Sequence, residues 1–308
     1  MLIKRTMVTN HTRKIREPKT MKKSHFLDSK KTAQYIFILP SILVFCFSIA
    51  IPFIMGINIA FTDWNGIAPT YNYVGLKNFI SFLHDPRIVQ PIQNSLKFAV
   101  LGTIGSNVVS LGLALLANQK TKGMKNFARM VFFIPVCFSS ILTAFIWGFI
   151  YKEVFSELFH INSMLGNPAM VIPAITTMGI WNTSGINMLI YLAGLQGVPR
   201  DLYEAALIDG ANVWKRFLHI TLPFLNAAFT VCFTLSLTSW LREFAMTLSA
   251  TGGGPGGSSR TISIYIFENL YQYNKAGYGQ AVALFFAIFL GLVGTLVSNF
   301  FRKREIEL

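Results

Sequence analysis

The sequence predicts an all-α, polytopic membrane protein with six transmembrane helices, and three observations carry that reading. Of 308 residues, 13% are charged and 53% are hydrophobic, whereas a soluble domain covers itself with charge at roughly a quarter of its residues. The apolar residues collect in six runs, each reaching the ~20 residues a helix needs to cross the hydrocarbon core. The formal net charge of +14, from 27 basic and 13 acidic residues, falls mostly on one side of those runs. The apolar bulk excludes intrinsic disorder, and nothing suggests a secreted disulfide scaffold. A nucleic-acid binder is a weak second reading of the charge. The basic tail lacks interleaved aromatics, and lipid headgroups explain it more simply.

Along the chain, residues 1–32 form a basic tail with ten Lys and Arg. Ala33–Phe61 is the first span. It is about twice as long as the apolar region of a signal peptide, and no small-residue cleavage site closes it, so a signal-anchor is expected. Residues 62–94 form an external loop. Within it, Asn78–Leu83 is a short apolar stretch, either an interfacial helix or a packing element at headgroup level. Residues 95–302 form the core, with spans at Ser95–Asn118, Phe127–Tyr151, Ala169–Gly197, Thr221–Met246 and Gln280–Phe301. Polar residues and Gly interrupt the fourth of the six runs most. None shows the alternation of a membrane barrel strand. The connections carrying Lys120, Lys122, Lys125 and Arg129, then Arg200, Lys215 and Arg216, and finally Arg302 with the tail 303–308, share a side with the basic start. Together they hold twenty of the 27 basic residues. The positive-inside rule then puts both termini in the cytoplasm, as an even number of spans requires.

Catalytic and metal chemistry find no constellation. Cys46, Cys137 and Cys232 each fall inside a span and read as small apolar fillers. The five His are scattered singly, without metal-ligand spacing. Gly252-Gly253-Gly254-Pro255-Gly256-Gly257 lacks the Lys that a phosphate loop places after its last Gly, because Ser258 and Ser259 follow. The chain is not expected to hydrolyse ATP or to bind a metal.

The cytoplasmic connection at 199–220 is richer in apolar residues than an exposed loop requires. Asp201 and Glu204 have capping-box spacing at the start of a short helix, and Gly210 can supply the left-handed residue that ends it. A second short helix, Val213–Leu218, leads into Ile220-Thr221-Leu222-Pro223. Such a loop either lies on the headgroups or docks another protein, with Ala205 and Ala206 permitting close approach.

Polar groups inside spans are costly and tend to face a cavity. The fourth span carries Trp181-Asn182-Thr183-Ser184-Gly185. The fifth carries Ser236, Trp240 and Glu243 at i, i+4 and i+7, which is one face of a continuous helix. The third carries Ser139 and Ser140 after Pro135. Hydroxyl, amide and carboxylate groups beside a Trp face suit a sugar. Plainer readings stand beside this one. The serines can bond to their own backbone, Trp240 can anchor at the interface, and Glu243 can pair with another subunit.

Glu204-Ala205-Ala206, then Gly210, then Ile220-x-Leu222-Pro223 resembles the EAA loop of binding-protein-dependent ABC importer permeases. Phe61-Thr62-Asp63-Trp64, Val74-Gly75-Leu76-Lys77-Asn78-Phe79 and Asp85-Pro86 match the sugar-permease branch similar to the larger maltose permease subunit. So do Thr251-Gly252-Gly253-Gly254-Pro255 and Gly277-x-Gly279-Gln280-Ala281. The resemblance runs from about residue 35 to 303 and implies a type I ABC importer permease fold in a bacterial inner membrane. It implies a second homologous permease, two cytoplasmic ATPase subunits that hold the ATP and Mg²⁺, and an external solute-binding protein. It also implies a sugar, an oligosaccharide, as solute. Glu204, Ala205, Ala206, Asp209 and Gly210 would contact the ATPase. Ser140, Asn182, Thr183, Ser236, Trp240 and Glu243 would fall at or near the sugar path, with residue types that imply a different glycan from maltose. The alternatives are a permease for another polar solute, such as a glycerol-phosphate ester, and an ion-coupled secondary transporter. The latter leaves the Glu204–Gly210 loop unexplained.

Overall fold

The computed structural model describes residues 30–118, 124–160 and 163–303. Most of the basic tail 1–32, the residues Lys120 and Lys122, and the end 304–308 lie outside the described residues. The chain divides into two compact units, residues 1–54 and 55–308. In the first, α1 (Lys30–Phe45) contains Pro40 and passes through a π-helical turn, Cys46–Ala50, into the start of α2 (Ile51–Ala60), whose residues from Met55 on belong to the second unit. Its large apolar side chains, among them Phe37, Val44 and Phe47, are exposed. In lipid that exposure carries no penalty.

The second unit is built on α4 (Val89–Ala117), α8 (Val171–Gln196) and α12 (Asn226–Leu241), which pack on one another. The buried face of α4 carries Ala99, Gly102, Thr103, Ser106, Ser110, Ala114 and Ala117. Small residues three and four apart let helix backbones approach closely where lipid supplies no hydrophobic drive. Val100, Ile104 and Val108 point outward instead, the reverse of a soluble helix. The last long helix, α15 (Ala276–Arg302), packs on α12.

Three helices are long and apolar enough to span, Tyr35–Ala60, Pro86–Ala117 and Ala276–Arg302, and two bent pairs bring the number to five among the described residues. The helix α8 is 26 residues long and occupies the fourth predicted run, but its polar interruptions make it less apolar than these. The third predicted run is not continuous. α5 (Met124–Phe133) ends in a 3₁₀ turn, Ile134–Cys137, and α6 (Ser140–Phe149) leaves at 106°. Pro135 supplies no amide hydrogen there, and Ser139 caps the new helix by accepting from Leu142 N at 3.2 Å. A π turn, Ile150–Phe155, and α7 (Ser156–Phe159) follow.

The fifth predicted run is also corrected. The chain leaves α9 (Arg200–Ile208) for α10 (Val213–Arg216), a π turn at Phe217–Thr221 and α11 (Leu222–Phe224), and bends by 70° into α12. α12 stops at Leu241, and α13 (Ala245–Thr251) starts afresh.

One end of the unit is tied together by motifs far apart in sequence. Asn78, on α3 (Lys77–Leu83), donates to the carbonyls of Ala60 and Thr62 at 2.9 and 2.8 Å. Gly277 N donates to Trp64 O at 2.8 Å, and a Cβ on Gly277 would strike the Thr62 carbonyl. Asp85 accepts from Arg87 Nε at 2.9 Å, from Tyr265 Oη at 2.8 Å and from Tyr278 Oη at 3.0 Å. Tyr265 lies on α14 (Ile262–Phe267). The Arg87 guanidinium, with help from both hydroxyls, holds the Asp85 carboxyl well below the usual carboxylate range.

Candidate functional site

Asn182 lies midway along α8, opposite the break in the third run. Its Nδ2 donates to Pro135 O at 2.8 Å, to Phe138 O at 3.0 Å and to Thr143 Oγ1 at 3.2 Å. The two carbonyls belong to the segment where helical bonding is interrupted; Pro135 O also accepts from Phe138 N at 3.1 Å, so the amide adds a second bond there and supplies a donor to Phe138 O. Gly185 permits the approach, since a Cβ there would meet Phe132 O at 2.6 Å. The structure thus holds Asn182 against the Pro135–Thr143 stretch, which contains Ser140, the first residue of α6. Ser140 is half-buried, and its hydroxyl is unbonded among the described residues. The Asn182 Oδ1 remains as an acceptor. Beside them, Trp181 stacks on Phe138 with centroids 5.9 Å apart and meets Trp147 edge-on at 5.9 Å.

The other four predicted side chains are used within the chain. Thr183 Oγ1 donates to Gly179 O at 2.8 Å, one turn back along its own helix. Ser236 is buried and accepts from Asn187 Nδ2 at 3.0 Å. Trp240 is buried between α4 and α8. Its Nε1 donates to Ser106 Oγ at 3.1 Å, and its ring lies parallel to Phe98 with centroids 6.4 Å apart. A Cβ on Gly102 or Gly179 would overlap that ring, so the indole occupies two glycine notches.

Glu243 does not share a helical face with Ser236 and Trp240, because α12 ends at Leu241. Its Oε1 accepts from the amides of Met246 and Thr247 at 3.1 and 3.2 Å, at the start of α13. Its carbonyl accepts from Thr261 Oγ1 at 2.8 Å. A carboxylate on free amides at a helix start is a favourable structural use.

Sequence reasoning missed Ser106, Asn107, Asn187 and Tyr191. Tyr191 Oη donates to Asn107 Oδ1 at 2.6 Å in the same seam. A signal was present, because Thr103, Ser106, Asn107 and Ser110 recur at helical spacing within an otherwise apolar run.

The second candidate site is α9. Pro199 takes the N-cap position, and no side chain caps the helix. The helix starts two residues earlier than the capping-box spacing requires, so Asp201 lies in the first turn and Glu204 beyond it. The far end follows the sequence expectation. Gly210 has φ +72°, its N donates to Leu207 O at 3.1 Å, and Ala211 N donates to Ala206 O at 2.8 Å. This is a Schellman termination. Glu204, Ala205, Asp209 and Gly210 are exposed, Ala206 is half-buried, and Ile208 is 87% exposed. Tyr203 Oη and Thr221 Oγ1, 2.8 Å apart, tie α9 to the segment entering α12. Asn212, a cap not anticipated from sequence, starts α10 by accepting from Lys215 N at 2.8 Å.

These features define a class, a polytopic α-helical membrane protein that displays a short amphipathic helix between two of its apolar ones. The chain belongs to the family of inner membrane components of binding-protein-dependent transport systems, whose model matches residues 106–305. It is 33% identical to a probable starch degradation products transport system permease, AmyD, of Thermoanaerobacterium thermosulfurigenes, over 89% of this chain and 95% of that one. It is 32% identical to the arabinooligosaccharides transport system permease AraP of Bacillus subtilis, over 91% and 93%. It is 32% identical to the trehalose/maltose transport system permease MalF of Thermococcus litoralis, over 81% and 87%. A chain of a bacterial ABC transporter involved in import of the acidic polysaccharide alginate has the same fold. The TM-score is 0.77 at 21% identity, covering 88% of this chain and 95% of that one.

Proposed function

We propose that this chain is one permease subunit of an ABC importer for an oligosaccharide. It crosses the bacterial plasma membrane six times with both termini in the cytoplasm. It pairs with a second, homologous permease, receives solute from an external binding protein, and leaves ATP and Mg²⁺ to two separate ATPase subunits. The observation that carries the reading is α9, an exposed helix with an apolar tip, closed at Gly210 and bonded back to the segment entering α12. Such a helix can be gripped from outside the membrane and can pass displacement to a span. The named glycan permeases supply the solute class.

In this reading Glu204, Ala205, Ala206, Asp209 and Gly210 form the ATPase-facing surface. Ser140 and the Oδ1 of Asn182 are offered to solute. Thr183, Ser236, Trp240 and Glu243 shape the path without binding sugar directly. ATP binding biases the permease pair between inward-open and outward-open states.

The test is reconstitution with the partner permease, the ATPases and the binding protein, with ATPase activity measured across a glycan panel. Stimulation by an oligosaccharide, dependent on the binding protein, is the expected result. Stimulation only by glycerol-phosphate esters would transfer the protein to the other solute class. Uptake driven by an ion gradient without ATP would remove it from ABC importers.

A further inference from the structure

Arg216, the last residue of α10, lines a cavity of about 540 Å³ with Leu115, Tyr203, Trp214, Phe217 and Thr221. Its Nε is buried and has no hydrogen-bond partner among the described residues. None of the ion pairs found among them includes it, although Asp201 and Glu204 lie on the neighbouring α9 and Asp209 caps its end. A buried guanidinium nitrogen is costly to leave without an acceptor.

The cavity's position bears on what the acceptor is. Leu115 is in the last turn of α4, and Thr221 leads into α12, so the cavity opens where two membrane helices meet the connecting loop. Its wall is mostly hydrocarbon and aromatic. On its rim Trp214 is 72% exposed and Val213 is 71% exposed. Indoles in that setting sit at the level of lipid headgroups. A protein carboxylate would satisfy Arg216 but would leave these apolar walls in water, whereas a phospholipid supplies both the anion and the chains to cover them.

We propose that this cavity is a binding site for an anionic phospholipid. The Arg216 guanidinium holds a phosphate oxygen, and Leu115, Trp214 and Phe217 cover the glycerol and upper acyl chain. Because Tyr203 lines the same cavity and bonds to Thr221, an occupied site braces α9 from its membrane side. The proposal requires membrane insertion of α4 and α12 but not the solute or the ATPase contact, so it can fail while the import reading stands.

The test uses the whole assembly in nanodiscs of phosphatidylcholine containing tail-brominated phosphatidylglycerol. Trp214 emission is taken as the difference between the assembly and its Trp214→Phe counterpart. The expected result is saturable quenching by brominated phosphatidylglycerol and much weaker quenching by brominated phosphatidylcholine at the same mole fraction. Arg216→Gln should raise the half-saturating mole fraction about fivefold, the worth of one basic residue at an anionic leaflet, and Arg216→Lys should largely restore it. Equal quenching of the unmodified assembly by the two lipids overturns the proposal, and that comparison needs no Arg216 variant. So does displacement of the lipid by inorganic phosphate alone, which would mark a free-anion site. So does loss of the ATPase subunits from Arg216→Gln at constant lipid composition, which would make the guanidinium a protein contact.

Discussion

A methyl group on Gly102 or Gly179 would collide with the indole of Trp240, so Gly102→Ala and Gly179→Ala should each destabilise the protein by about 1–3 kcal/mol, the usual cost of overpacking. Gly112→Ala is the control, since beyond its own helix backbone nothing lies within 4 Å of its Cβ position. Thermal melting of the detergent-solubilised assembly checks all three, and an equal shift at Gly112 would discount the notch. Asn182→Leu should cost about 1–3 kcal/mol by stranding the Phe138 carbonyl, whereas the Pro135 carbonyl keeps its bond from Phe138 N. Ser140→Ala should leave the melting temperature unchanged and alter only the glycan dependence of transport. These residues also show what a sequence can disclose. Polarity within apolar runs singled out Ser140, Asn182, Thr183, Ser236, Trp240 and Glu243, although Glu243 lies past the end of α12 and not on its face. It could not show their partners, because Ser106 is 134 positions from Trp240 and Pro135 is 47 positions from Asn182.

Among the elements, the Asp85 cluster joins the segment before α4 to α14 and α15. Its carboxyl titrates well below the ordinary value of 3.8. The stabilisation from ionised Asp85 is therefore complete above about pH 4 and is lost only as pH falls towards the depressed folded value. The melting difference between the native protein and Asp85→Asn should stay constant from pH 7 to about pH 4 and shrink below that. A difference that shrinks near neutral pH would contradict the assignment. At α9, Gly210→Ala should cost about 1–2 kcal/mol, because a side chain must adopt the left-handed conformation there. Coupled ATPase activity should fall with it if the helix end is part of the docking surface. The Gly210 termination was legible because left-handed glycine has a local cause. The start of α9 was not, because Pro199 occupies the cap position and moves Asp201 and Glu204 out of capping register. The break after Phe133 was legible only in part. Pro135 signalled a weak point, but the 106° turn depends on Asn182 from another helix.

For the whole molecule, composition and the apolar runs identified the membrane class, because lipid imposes length and low polarity on the helices that cross it. The bends escaped, since a broken span and a straight one have the same composition. In the assembled importer, Glu204→Ala should lower solute-stimulated ATPase activity while leaving the subunits assembled, as measured by turnover and gel filtration on one preparation. Unchanged turnover in both Glu204→Ala and Gly210→Pro would remove α9 from the coupling path.

The ring of Trp240, keyed into glycine notches on two different helices, acts as a dowel through a joint. α12 cannot slide along α4 or α8 without first withdrawing it, and Ser106 and Phe98 hold it in place. Any large displacement of this subunit must then carry the three helices as one block. The bending is left to places already without continuous helical bonding, the turn at 134–139 and the 70° corner at Leu225. Within the 55–308 unit the keyed helices are flanked by two corners, and the corner at Leu225 lies directly beyond the loop through which α9 is attached.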